Sequence, residues 1–565
     1  MWHGNWSPMS NRIRHITIVG GGTAGWMSAV FLATRFGPMT RSQGMRVTLI
    51  ESPNVPTVGV GEATVPSMTL WLSQMGIDED EFFLRCNASF KLGVRFVNWD
   101  HDPDGSPRDF IHPFQGVTSK IRDINAGYYF HRFQNTDGQA DASDALTPCR
   151  AVINARRAPR GLVRDAKSDL RYAYHLDAGL FANLLKEKAL ERGVEYIQDD
   201  VDAVTLDGKG FVDTLTLRAR GRFPVELVID CTGFKGLIIQ EALGEPFESY
   251  GKSLLCDRAL AVQIPHADVT KLDPFTQSTA LGAGWSWRVP LYSRIGTGYV
   301  FSSAFRSDEE ATEEFLRHLG PAAQGATPRA LAMRVGRSRR TWVANCVAVG
   351  LSSGFIEPLE STAIYLIDRS LAYLAEYFPD RTFDPALMRR YNKVVGEAYA
   401  EIRDFIVLHY RANNRSDTAF WEAARNDIEV PDSLAENLEL WRRVLPSSKD
   451  IEHEFLFSYL SYIQVLFGKR YFDGAHFAVE DLLRPDEWQS FSRAMDNLKA
   501  ELLQELPDHY QLVSQIRARA EGRAGIRTTP RTVGTSARPT VPLPGLAVQP
   551  QIRFSPGILA EANLL

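Results

Sequence analysis

Gly20, Gly22 and Gly25 follow the β-branched run of residues 13–19 and open the helix-like stretch TAGWMSAVFLATRF; no other feature of the 565-residue chain restricts its fold as tightly. In this G-x-G-x-x-G spacing the glycines permit a tight turn and a close backbone approach to a pyrophosphate, which then rests on the positive end of the helix. A second strand, MRVTLIES, ends on Glu51, where a carboxylate can accept both hydroxyls of a ribose. Strand, glycine turn, helix, strand and acid in that order predict a βαβ dinucleotide site. The triplet by itself fits FAD or NAD. Two later turns favour FAD, because a long extended flavin needs contacts from several places: VELVIDCTGF closes on Asp230, Thr232 and Gly233, and CVAVGLSSGF closes on Gly350.

Net charge narrows the partners. With 63 basic and 68 acidic side chains the formal charge is −5, which gives no electrostatic footprint for nucleic acid or an anionic membrane and leaves small molecules as the expected ligands. The five cysteines, Cys86, Cys149, Cys231, Cys256 and Cys346, have no paired spacing for zinc or a disulfide framework, so reduced thiols in a cytoplasmic protein are expected. No apolar run is long enough for a membrane span, and the first residues lack a signal-peptide core. Mixed strands and helices fill the chain to about residue 360. Long amphipathic helices follow, among them STAIYLIDRSLAYLAEYF, and a Pro/Gly/Thr/Arg-rich segment reads as a flexible tail. The expected division is a disordered 1–12, a cofactor module over 13–360, a helical module over 361–517 and a tail over 518–565.

Three further segments carry chemistry. In NASFKLGVRFVNW, Lys91 sits among Phe90, Leu92, Val94, Phe96 and Trp99. Taken alone it is a surface lysine whose stem lies along apolar neighbours; turned inward, it is a desolvated amine with a lowered pKa, able to donate or attack. In GFIEPLESTAIYLI, Glu357 and Glu360 precede a helix capped by Ser361 or Thr362. They read either as ordinary first-turn acids or as a proton-handling carboxylate beside an anion site built from the N–H groups of Thr362 and Ala363 and the Thr362 hydroxyl. In GWSWRVP, alternation puts Trp285 and Trp287 on one face of a strand, where they must meet something large.

The motifs GGGTAGW, VGVGEATVP, FKLGVRFVNW, YAYHLDA, DCTGF, GWSWRVPL and GFIEPLESTAI, in this order from about Arg14 to Ile516, resemble those of the flavin-dependent tryptophan halogenases. The resemblance implies an α/β fold: a Rossmann-like, glutathione-reductase-type FAD-binding module with a mixed sheet, joined to a mostly helical C-terminal substrate module. It implies FADH2 delivered by a separate NAD(P)H-dependent flavin reductase, O2, and chloride or bromide, from which hypohalous acid is made and passed through a tunnel to a lysine beside an aromatic substrate. A homodimer is implied as well. Lys91 and Glu360 match the catalytic pair, Thr362 and Ala363 the halide positions, and Gly22, Ala24, Glu51, Ala63, Val201, Leu351 and Ile364 the FAD contacts. Trp285, Trp287 and Pro290 match a W-x-W-x-I-P tunnel motif, with Val289 in place of isoleucine. His112 and Phe114 match residues lining an indole slot, and Tyr462 stands where a tryptophan commonly stacks.

Some positions depart from the pattern. Ala363 replaces a usual glycine and crowds the halide site with a methyl group. Enzymes acting on free tryptophan carry paired tyrosines and a glutamate that hold the amino-acid head, but here Asp450, Ile451 and Phe457 occupy those places. An indole without that head, a tryptophan within a peptide, or another electron-rich aromatic is therefore expected ahead of free tryptophan. Two other functions compete: a flavin monooxygenase that hydroxylates its substrate directly, which has no use for a distant amine, and a non-catalytic FAD-binding scaffold, which would have no need to keep Lys91 and Glu360.

Overall fold

The structure, a computed structural model, describes residues 11–43, 45–55, 61–102, 104–114, 120–134, 141–163 and 169–527. The strand His15–Val19 pairs in parallel with Arg46–Glu51 on one side and Leu227–Asp230 on the other. Glu195–Gln198 and Cys346–Ala348 extend the sheet in parallel, and Trp342–Val343 closes one edge antiparallel. All five residues of His15–Val19 are buried, as expected of a parallel sheet covered on both faces. The glycines are required by close approach. Gly20 has φ 115°, and a Cβ there would lie 2.2 Å from the Cys231 carbonyl oxygen; a Cβ on Gly25 would lie 1.8 Å from the Gly20 carbonyl oxygen.

A second sheet of seven strands runs in the order Arg329–Ala332, Arg258–Ile264, Ile295–Phe301, Gly284–Pro290, Thr276–Leu281, Gly93–His101, Pro107–Pro113. Gly284–Pro290 is its central strand, with Trp285 opposite Val300 and Trp287 opposite Gly298. The missing side chain of Gly298 makes room for the indole, since a Cβ there would stand 2.0 Å from Trp287 Cη2 and 2.3 Å from the Leu260 carbonyl oxygen. Gly298→Ala should therefore displace the Trp287 ring and destabilise the protein by about 1–3 kcal/mol, as overpacking does, which urea unfolding would measure; an unchanged midpoint would show that the ring moves freely.

A small antiparallel sheet, Gly61–Ala63, Ala173–Asp177 and Ser89–Lys91, joins the two regions. Ser89 Oγ donates to the Pro290 carbonyl at 2.5 Å, which fastens the lysine strand to the end of the tryptophan strand.

The C-terminal helices pack onto the cofactor-binding part through a shared core. One apolar core contains Ile16, Trp71 and Trp99 together with Leu371, Phe405, Trp441 and Ile516. The last helix, His509–Arg527, returns to pack on Glu79–Arg85, with Arg519 forked onto Asp80 at 2.6 Å to each oxygen. It passes the expected tail boundary at 518 because this ion pair and the buried Ala520 hold it in place. Residues 1–10 and 528–565, for which disorder and flexibility were expected, lie outside the described residues. So do residues 58–60 of VGVGEATVP. The five cysteines are free and buried, and no helix among the described residues is long and apolar enough to cross a membrane.

Candidate active site

Lys91 ends a strand whose three residues are all buried, so its side chain has no route to solvent, and its exposure is 0%. Nζ donates to Ser361 Oγ at 2.9 Å and to the Thr64 carbonyl at 3.2 Å, and stands 4.9 Å from the centre of the Phe114 ring. Burial lowers the amine to about 7, against the opposing pull of Glu360. The inward reading of this lysine is the one the fold adopts.

Its partner loop is wound tightly. Pro358–Glu360 makes a short 3-10 turn, Ser361 has φ 63°, and the helix Ala363–Glu376 starts after Thr362. A left-handed serine is uncommon and costs energy, and here it turns the hydroxyl onto Lys91. Glu360, 1% exposed, receives His112 Nδ1 at 2.9 Å on Oε1, with His409 Nε2 3.1 Å from the same oxygen, while Oε2 has no partner. Burial alone would raise its pKa, but the two imidazoles outweigh it and hold the carboxyl at about 2. Glu360 is therefore an anion across the working range. Burial pushes His409 below its usual value, against the opposing pull of Glu360.

Thr362 does not cap the helix with its side chain; its hydroxyl oxygen is buried and without a partner. Ala363 beside it is only half-buried. A buried hydroxyl at a helix start, next to N–H groups that the helix leaves free, is the chemistry a halide needs.

A cluster of aromatic side chains adjoins Glu360. His112 faces Phe405 at 5.5 Å and Phe457 at 6.2 Å, Phe405 and Phe457 stack at 3.9 Å, and Tyr462 meets Phe405 at 4.9 Å and Trp441 at 5.2 Å. Phe114 and Tyr462, expected on two sides of a substrate, share no ring contact of their own. On the other side of the loop Trp285 is 1% exposed, packs on Trp287 at 6.3 Å and donates from Nε1 to Glu357 Oε1 at 3.3 Å. Trp287 packs with Ala63, Val289 and Leu291.

At the glycine turn, the space before Gly22 is open, with nothing within 4 Å of where a Cβ would lie. Ala24 touches the turn at Gly350, and the neighbouring Leu351 is 37% exposed for a large apolar side chain. Glu51 Oε2 accepts from Tyr196 at 2.7 Å and from Lys186 at 3.3 Å. Val201 and Ile364 are partly and fully buried, respectively. Gly233, at φ 74°, has open space around it, whereas Asp230 spends its carboxylate on Thr232 N–H and hydroxyl and on the N–H groups of Ile238 and Ile239. Asp230 therefore shapes the turn, and the outward positions belong to its neighbours. This cradle fits FAD: open backbone at the pyrophosphate turn, a carboxylate at the ribose position and an exposed apolar side chain beside them.

A family model described as tryptophan halogenase matches residues 15–482. The chain belongs to that family. It is 37% identical over 461 residues to tryptophan 6-halogenase ThaL of Streptomyces albogriseolus, covering 79% of this chain and 85% of the relative. It is 39% identical over 453 residues to tryptophan 7-halogenase KtzQ of Kutzneria sp., covering 77% and 83%. The solved structure of Tar14, a tryptophan C-6 flavin-dependent chlorinase from taromycin biosynthesis, superposes with a TM-score of 0.83 at 35% identity, covering 89% of this chain and all of that one. The chain is thus a flavin-dependent halogenase that uses FADH2, O2 and halide on an aromatic substrate, with a separate flavin reductase.

The structure brings together Lys91, Glu360, Thr362, His112 and Phe114. It adds His409 and Phe405, and it turns Ser361, read from the sequence as a helix cap, onto Lys91, and Glu357 onto Trp285 and Tyr410. Phe405 and His409 are four apart in the helix Pro385–Arg411 and so share a face, the only signal in the sequence that pointed to them.

Proposed function

We propose that this halogenase modifies an indole presented without a free amino-acid head group, either as a small indole or as a tryptophan within a peptide. The observation that carries this reading is the occupation of the backbone N–H groups of Phe455, Leu456 and Phe457. Glu401 accepts them at 2.9, 3.0 and 3.4 Å, so donors that would suit a substrate carboxylate are already taken. Asp450 is likewise engaged by Trp441 Nε1 and by Ser447. Phe457, stacked on Phe405, lines the slot with hydrocarbon where a charged head would need a partner.

Gly22, Ala24, Glu51, Gly233, Gly350 and Leu351 would hold FAD, with Ala63, Val201 and Ile364 in its neighbourhood. Once bound and reduced, it supplies hypohalous acid from O2 and the halide. Thr362 and Ala363 hold the halide. Trp285 and Trp287, with Pro290 at the strand's end, keep the indole out of that chamber while a small oxidant passes. Lys91 receives the oxidant through its amine and orients it toward the ring held by His112, Phe114 and Tyr462. The carboxylate of Glu360 faces the positive charge that builds on the ring, and the ring proton leaves toward Glu360 and its imidazole neighbours. The NAD(P)H dependence of the reductase and a homodimeric state are part of the same reading and rest on family resemblance.

Side-by-side assays with reduced FAD, O2 and bromide test the substrate. Indole or an N-acylated tryptophan amide should be halogenated with kcat/KM about 10-fold or more above free tryptophan, because the zwitterionic head enters a site with no group to pair it. A preference for free tryptophan would overturn this reading.

A further inference from the structure

Glu357 lies one turn of chain before Glu360, is 0% exposed, and has no part in the chemistry above. Its Oε1 accepts from the Tyr410 hydroxyl at 2.6 Å and from Trp285 Nε1 at 3.3 Å, and its Oε2 has no partner. Tyr410 follows His409 in the helix Pro385–Arg411. Two successive residues of one helix therefore hold two carboxylates of one loop: His409 meets Glu360, and Tyr410 meets Glu357. Glu357 also grips the tryptophan wall. That wall is braced from behind, where Trp99 packs against both Trp285 and Tyr410, at 6.4 and 5.4 Å.

A buried carboxyl with one bare oxygen is an expensive way to hold two side chains together, and an apolar residue of similar shape would usually be tolerated as well or better. Burial lifts its pKa to about 7 despite the two hydrogen bonds. Its position accounts for the expense. Three elements converge on it: the strand Gly284–Pro290 that carries Trp285 and Trp287, the helix Pro385–Arg411 that carries Phe405, His409 and Tyr410, and the loop that carries Glu360, Ser361 and Thr362.

We propose that Glu357 is a positioning residue that locks the Trp285 wall to the catalytic loop, so that the passage between the chambers keeps one shape and the oxidant reaches Lys91 instead of escaping. Without the lock, the indole of Trp285 and the loop relax independently. Oxidant is then still formed, but a smaller share of it arrives at the amine. This does not rest on the choice of substrate above, because it concerns delivery to whichever indole is bound.

The test uses the full chain with chemically reduced FAD, O2, bromide and either indole or tryptophan, whichever the wild type halogenates faster. The readout is halogenated product per FADH2 oxidised, with hypobromous acid that leaves the protein captured by a soluble enol. Glu357→Ala and Tyr410→Phe should lower product per FADH2 by about 3- to 10-fold with a matching rise in captured oxidant, since small misplacements near a reacting centre have effects of this size or larger. Glu357→Gln keeps an acceptor for both donors and should stay within about 2-fold of wild type. The near-ultraviolet circular dichroism of the FAD-free proteins should weaken in Glu357→Ala and persist in Glu357→Gln, reporting the fixed tryptophan pair. If Glu357→Ala does not fold, Tyr410→Phe and Glu357→Gln decide. Product per FADH2 equal to wild type in Tyr410→Phe, whatever its total rate or stability, overturns the proposal; so does a Glu357→Gln protein that leaks as much as Tyr410→Phe.

Discussion

Lys91→Met should reduce halogenated product by about 10³-fold or more while FADH2 is still oxidised and FAD still binds, because in the mechanism proposed above it is this amine that receives the oxidant. Methionine fills the same buried space, so the loss cannot be assigned to collapse of the pocket. Stability provides an independent check. The folded amine titrates near 7, well below the ordinary lysine value, so the folded state binds fewer protons than the unfolded state between about pH 7 and 10 and native stability rises through that window. Below it both states are protonated and the full cost of burying the charge is present, on the order of a few kcal/mol. The substitution should therefore raise the melting temperature, by more at about pH 6 than at about pH 10. A melting temperature lowered equally at both would mean that Lys91 is well solvated. The pH–rate profile of the wild type separates two roles for the amine: one that must take up halogen loses rate below about pH 7, whereas one that only donates a hydrogen bond does not.

Glu360→Gln should lower kcat by about 10²- to 10³-fold with little change in KM, the signature of a group that acts on charge present only in the transition state. Glutamine can still accept from His112, so the slot keeps its shape. Since the carboxyl is held at about 2, its own titration lies too low to account for loss of activity above about pH 4. Steady-state kinetics checks this, and a rise in KM with kcat intact would place Glu360 in substrate binding instead.

The glycine turn, Glu51 and the strand order around them were legible because their physics is local: positive φ at Gly20 and the close approaches at Gly20 and Gly25 leave almost no other residue type possible. Lys91 was not legible in that way. Apolar residues flank it on both sides in sequence, and alternation cannot show that a three-residue strand is buried on both faces. The left-handed Ser361 gave no signal, because serine is not the residue that such a backbone usually selects. Phe405 and His409 declared a helix face but not what that face would meet. Asp230 is ambiguous in sequence for a related reason: a polar turn after a strand looks the same whether its carboxylate faces a ligand or, as here, accepts from the N–H and hydroxyl of Thr232 and the N–H groups of Ile238 and Ile239. The helix end at Arg527 depends on a partner, Asp80, far away in the chain.

Turnover under oxygen-18 gas with bromide and indole tests the separation of oxidant formation from carbon attack most directly. Mass spectrometry should find a brominated indole with no heavy oxygen, and no oxygenated indole when bromide is left out. Indole carrying heavy oxygen in the absence of halide would mean that substrate reaches the flavin past Trp285 and Trp287, and would contradict the account.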